Sequence, residues 1–160
     1  MGIIGRLLGR PQKQEPNAGR GANASGAQGS WGEEVACLYL VDKGWSVVER
    51  NARPCAADRR CEVDIIARNP SGGIVFVEVK THKVHSPYAS RLWRVGRRKK
   101  RPLLRACAWW VMSHRWHGDF RFDVIQVYGE RGAASAPEID HIENVPLFGP
   151  NWRFWRGCAS

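Results

Sequence analysis

The sequence predicts a mixed α/β fold: a central five-stranded sheet flanked by helices, in the order helix, three strands, helix, two strands. Three observations lead there. Apolar runs rich in Val, Ile and Phe recur at strand spacing, as in Ile74-Val75-Phe76-Val77 and Phe122-Asp123-Val124-Ile125. Two other segments carry apolar residues at helical spacing. A knot of turn formers, Asn69-Pro70-Ser71-Gly72-Gly73, joins two of the strand patterns closely enough to require an antiparallel hairpin. The 160 residues suit one domain, and a hydrophobic fraction of 43% suffices for an ordinary core.

The elements follow in order. Residues 1–29 open with Met1 to Leu8, an apolar run broken by Arg6 and too short for a signal core or a membrane span. Arg6 also breaks the myristoylation pattern. Residues 11–29, rich in Gly, Ala, Asn, Gln and Pro, read as a disordered lead-in. The folded part, 30–148, is expected to start at Ser30, which with Glu33 forms a capping-box pattern. Val35, Leu38 and Tyr39 continue a helix that Gly44 stops. Strands are expected over 45–50, 62–67 and 74–80, with a loop over 52–60 and a second loop over 81–94. A basic helix runs from about Arg97 to His114 and turns Leu103, Leu104, Ala108 and Val111 inward. Pro102 marks its first turn or a kink. Strands over 120–127 and 138–143 complete the set. Residues 149–160 form an aromatic and basic tail containing Trp152-Arg153-Phe154-Trp155-Arg156, suited to stacking on bases or to docking on the domain. No internal repeat is present.

The net charge of +10 favours a polyanionic partner, and its distribution sharpens that expectation. Between Thr81 and Gly118 the bases cluster, including Arg97, Arg98, Lys99, Lys100, Arg101 and Arg105, with no Asp or Glu among them. Such a one-sign block reads as a phosphate-facing surface. An anionic membrane face is disfavoured, because no amphipathic anchor is evident. Five cysteines without a Cys-x-x-Cys pair exclude a disulfide framework and a structural zinc site. Reduced thiols and the lack of export or anchoring signals point to the cytoplasm. The histidines show no metal-ligand spacing. Neither a Ser-His-Asp set nor a phosphate-cradling Gly loop is present.

The chemistry concentrates on one hairpin. Residues two apart on a strand share a face, so Glu62 aligns with Asp64, and Glu78 with Lys80. Folding the hairpin about Ser71 places Asp64 opposite Glu78 and Glu62 opposite Lys80. Opposed carboxylates repel, and a sheet gains nothing from them unless a positive group lies between. A hard cation, Mg²⁺ or Mn²⁺, fits oxygen ligands, and Lys80 beside it could orient a water and stabilise phosphate charge. The competing reading is a solvent-facing strand edge with Glu62 and Lys80 as a surface pair. Convergence of the charges on one face of two apolar strands, just before the basic block, favours the metal. Spacing alone assigns Glu33 to the helix cap, with a metal-ligand role as the alternative.

Gly32-Glu33-Glu34-Val35-Ala36, Glu62-Val63-Asp64-Ile65-Ile66-Ala67, Val75-Phe76-Val77-Glu78-Val79-Lys80-Thr81, Arg121-Phe122-Asp123-Val124 and the helix-start Lys99 closely resemble the YraN-like uncharacterised bacterial proteins. The resemblance runs from about Gly29 to Phe148. That family is similar to the restriction-endonuclease-like PD-(D/E)XK nucleases and, in plan, to Holliday-junction resolvases. The resemblance implies a mixed sheet with flanking helices. It also implies a catalytic set of Glu33, Asp64, Glu78 and Lys80, with Asp64, Glu78 and Glu33 holding the metal. Cys61 and His82 depart from the family's usual Gly and Arg at those positions. The implied activity is a Mg²⁺- or Mn²⁺-dependent endonuclease on branched or flapped DNA. Its partner is nucleic acid, with DNA ahead of RNA and Arg97, Arg98, Lys99, Lys100 and Arg101 on the phosphates. A homodimer follows by analogy with junction-cutting enzymes. The alternative is a nucleic-acid-binding accessory protein that keeps the nuclease fold without its hydrolysis.

Overall fold

The computed structural model of the protein describes residues 24–84 and 97–148. The elements are α1 (Ala24–Asp42), β1 (Ser46–Ala52), β2 (Val63–Arg68), β3 (Ile74–His82), α2 (Arg97–Ser113), β4 (Phe120–Tyr128) and β5 (Glu138–Ile142). The strands lie side by side in chain order. All neighbours are antiparallel except β3 and β4, which are parallel and connected through α2. This mixed five-stranded sheet with two helices is a restriction-endonuclease-like core. The expected lead-in before residue 24, most of the second loop and the aromatic tail lie outside the described residues. Among the described residues no helix is long and apolar enough to cross a membrane.

The sheet separates two apolar layers because each strand alternates its side chains. On one face Ile66, Ile74, Phe76, Phe122 and Val124 pack with Leu103, Ala106, Cys107, Trp110 and Val111 of α2. On the other, Ile65, Val75, Val77, Ile125 and Val127 pack with Val35, Ala36 and Leu40 of α1. Leu103 and Val111 of α2 face inward as expected, whereas Leu104 and Ala108 are only half-buried and Ala106, Cys107 and Trp110 complete the inner stripe. Of the two adjacent tryptophans, Trp110 is buried and Trp109 is exposed.

The start of α1 corrects the reading at Ser30. The helix begins at Ala24, so Ser30 lies inside it and cannot cap it with Glu33. The extra length is held by Gln28, whose Nε2 donates to the Gly129 carbonyl at 2.8 Å in the β4–β5 connection. The other end is as expected. Gly44 takes φ +79°. Its N–H bonds to Val41 O at 2.9 Å and that of Trp45 to Leu40 O at 3.0 Å, a Schellman closure. The end of α2 repeats these two bonds, from Arg115 to Met112 and from Trp116 to Val111, but with Arg115 at φ +47°. A side chain in that region costs about 1–2 kcal/mol.

The β2–β3 hairpin adopts the register that a turn about Ser71 dictates, with Ile65 opposite Val77 and Arg68 opposite Ile74. Beyond Ile65 the ladder stops. What happens there defines the site.

Candidate metal centre

At the end of the ladder, Asp64 uses its side chain where backbone pairing ceases: Oδ2 accepts the Val79 N–H at 2.8 Å. Asp64 follows the alternation of Ile66, and Glu78 that of Phe76, so both carboxylates lie on the α2 face of the sheet. Glu78 is 3% exposed. The two groups interact: burial first, then the charge of Glu78, push the Asp64 carboxyl up to about 7. The Val79 N–H and Lys99 act in the opposite sense, and Glu33 adds a smaller upward push.

The positive group beside this pair comes from α2. Lys99 Nζ sits 2.5 Å from Glu78 Oε1. Burial acts to lower the Lys99 pKa, but the charge and hydrogen bond of Glu78, with Asp64 and Glu62, raise it overall, so it remains an ammonium. The second oxygen, Glu78 Oε2, is buried and meets no donor among the described residues. An open cleft of about 690 Å³ lies in front, walled by Asp64 and Lys99 on one side and by Gln28, Glu33 and Thr81 on the other. Glu78 does not form part of that wall.

Lys80 is half-buried on the same face of β3 as Glu78, beside Gln126 in the parallel register, and is not part of the cleft wall. Glu62 does not face Lys80 as a pair. It precedes β2 and accepts Arg53 Nε at 3.1 Å and Nη2 at 2.9 Å across the β1–β2 connection. Because the ladder has already ended, nothing holds Glu62 in the hairpin's register. Glu33, freed from capping, lines the cleft from α1. Its neighbour Gly32 explains how α1 comes close enough. A Cβ at position 32 would lie 2.0 Å from Thr81 Oγ1, so only glycine lets the helix rest on the end of β3. An isolated glycine within a helical pattern was the available signal for this contact.

The donor set suits a hard divalent cation. It offers one buried carboxylate, Glu78, with an oxygen lacking any partner among the described residues, and one half-buried carboxylate, Asp64, that lines the cleft. Among the described residues no group of three His, Cys, Asp or Glu side chains is gathered as a ready cage. A two-carboxylate site fits Mg²⁺, which keeps several waters and is commonly bound by one or two carboxylates.

The model of uncharacterised protein family UPF0102 matches residues 32–127. The chain belongs to that family. The matched span contains Gly32, Glu33, Asp64, Glu78, Lys80 and Lys99. A UPF0102 protein of Trichlorobacter lovleyi is 39% identical over 74% of this chain and 89% of its own length. One of Pelobacter propionicus is 38% identical over 73% of this chain and 80% of its own. One of Streptomyces griseus is 36% identical over 77% of this chain and 98% of its own.

The basic residues assigned to phosphate contact diverge within this UPF0102 protein. Arg97 and Arg98 belong to the first turn of α2, and their side chains lie outside the described residues. Lys100 and Arg101 are exposed. Lys99 turns inward to Glu78. Further along, Arg105 reaches Asp58 at 3.4 Å. Hydrogen bonds from Arg60, then the charge of Arg105, hold the Asp58 carboxyl down at about 2. The β1–β2 connection is thereby tied to α2.

A second buried carboxylate, on β4, has the opposite character. Asp123 is fully buried. It accepts Arg121 Nη2 at 3.1 Å, His141 Nε2 at 2.9 Å and the Asn144 N–H at 2.8 Å. Tyr39 and Trp45 meet the His141 ring edge-on.

Proposed function

We propose that this UPF0102 protein is a divalent-cation-dependent endonuclease hydrolysing phosphodiester bonds in DNA, with branched or flapped structures as its substrates. The observation that supports this best is the juxtaposition of Asp64 and Glu78 where the β2–β3 ladder ends, with Glu78 Oε2 buried and unpartnered. Asp64 and Glu78 would hold Mg²⁺ or Mn²⁺, with Glu33 joining through water from the far wall of the cleft. When bound, the cation supplies Lewis acidity at the phosphate and stabilises its developing charge. Lys80 orients the attacking water, acting from the strand position that shares a face with Glu78. Lys100 and Arg101, exposed at the start of α2, hold flanking phosphates, and Arg97 and Arg98 extend that grip.

The test is cleavage of labelled linear, flapped and four-way-junction DNA with Mg²⁺ or Mn²⁺ by wild type, Asp64→Ala and Lys80→Ala. Wild type should cut a branched substrate. Both variants should lose cutting by at least about a hundredfold while keeping the wild-type circular dichroism spectrum. Equal cutting by variant and wild type would refute the assignment. Salt-sensitive binding with no cleavage, insensitive to chelator, would instead establish the accessory-binding role.

A further inference from the structure

A cation that uses Glu78 meets an obstacle from the protein itself. The Glu78 carboxylate is buried and does not line the cleft, whereas Lys99, which contacts it, does. The Lys99 ammonium contacts Oε1, the one Glu78 oxygen with a protein partner. It occupies the position of the positive charge that two adjacent carboxylates require. Its side chain is nonetheless half exposed, against 4% for Glu78, so it has a route back into solvent. It springs from the first turn of α2, next to Lys100 and Arg101, where phosphates would lie.

We propose that Lys99 is an exchangeable counter-ion: it neutralises Glu78 in the cation-free protein, yields the carboxylate pair to an arriving divalent cation, and transfers its own charge to a nucleic-acid phosphate. The proposal rests on the metal-site reading above. Its physical basis is competition. Two positive groups cannot both sit against one carboxylate pair without repulsion, and the flexible lysine is the one able to leave. A coupling follows. Each divalent cation bound frees one ammonium for the phosphate backbone, so cation and nucleic acid strengthen each other's binding reciprocally.

The experiment is calorimetric titration of MgCl₂ and MnCl₂ into the full chain as wild type, Lys99→Gln and Asp64→Asn. A parallel titration follows fluorescent four-way-junction DNA with and without Ca²⁺. Removing the competing charge should tighten divalent binding by Lys99→Gln roughly tenfold or more. The cation-induced gain in DNA affinity seen in wild type should disappear in that variant. Reductive ¹³C-methylation of lysines provides a reading on unmutated protein. The Lys99 signal, identified by its loss in Lys99→Arg, should move towards the exposed-lysine position as Mg²⁺ is added. Unchanged cation affinity in Lys99→Gln, or a Lys99 signal that stays still while Mg²⁺ binds, overturns the exchange and leaves the metal site standing. Cation binding that is absent from wild type, or undiminished by Asp64→Asn, refutes the metal site and the exchange with it.

Discussion

Asp123 and the Asp64–Glu78 pair are carboxylates of one sheet in contrasting circumstances. They lie on opposite faces, and Asp123 stands level with Val77, one residue from Glu78, in the parallel β3–β4 ladder. Asp123 has no exposed surface and three donors, supplied by its own strand, by β5 and by the turn after it. Glu78 is almost as deeply buried, yet among the described residues one oxygen meets a half-exposed lysine and the other has no partner. Burial alone therefore does not separate a structural acid from a reactive one. A carboxylate whose lone pairs are all used within the fold joins segments together. One left short of donors is the kind of acid the proposed cation would use.

The sharpest way to break this comparison is to remove each acid. Asp123→Ala should lower stability by about 3–5 kcal/mol in urea unfolding, because Arg121 and His141 lose their shared acceptor inside the fold. Glu78→Gln should change stability by no more than about 1 kcal/mol, since the Lys99 side chain is half exposed and rehydrates. Similar losses in the two variants would erase the distinction.

A smaller effect tests how α1 is brought to the cleft. Gly32→Ala should cost about 1–3 kcal/mol through overpacking against Thr81. It should also weaken Mg²⁺ binding measured by calorimetry, as Glu33 is pushed back. Gly32→Ala combined with Thr81→Ala should recover most of the lost stability. Failure of that rescue would locate the effect elsewhere in α1.

The smallest effect is a pH dependence confined to one acid. The Asp64 pKa is raised in the folded chain to about 7, so folding favours its protonated form. Its contribution to stability is present in full below the unfolded value near pH 4. It is lost as the pH rises through about 7. Asp64→Asn cannot ionise, so it should exceed wild type by roughly 1–2 kcal/mol at pH 8 and match it at pH 4 in thermal unfolding. A gain independent of pH would mean that Asp64 does not titrate with burial.

The element order, the hairpin register and the meeting of Asp64 with Glu78 were legible in the sequence because each depends on local rules. Alternation fixes faces, and Asn69–Gly73 fixes the turn. The features that were not legible depend on tertiary contact. Ser30 and Glu33 look like a cap, and only the bond from Gln28 to Gly129 shows why the helix begins earlier. Lys99 sits in a run of bases indistinguishable by charge. The docking of α2 turns it inward and leaves Lys100 and Arg101 outside. In α2 the inward Leu103 and Val111 were legible, but Ala106, Cys107 and Ala108 are all small, so nothing in their size showed that the first two, and not Ala108, are the buried ones. The role of Asp123 had a visible signal, an acid set between Phe122 and Val124, but its donors come from β5 and Asn144, which a local pattern does not connect.

The single parallel pairing, β3 with β4, carries a consequence for the order in which the molecule is assembled. The strands β1, β2 and β3 form a meander of short antiparallel returns, and that meander alone brings Asp64 to Glu78. Pairing β4 requires the chain to cross back through α2, a longer closure with a larger entropic barrier. These closures predict that Lys99 arrives after the carboxylates it neutralises. For that interval the folding chain presents a bare acidic pair, open to any divalent cation in its surroundings. Refolding started in Mg²⁺ should consequently be faster than refolding in chelator, and equal rates would place the docking of α2 ahead of the meander.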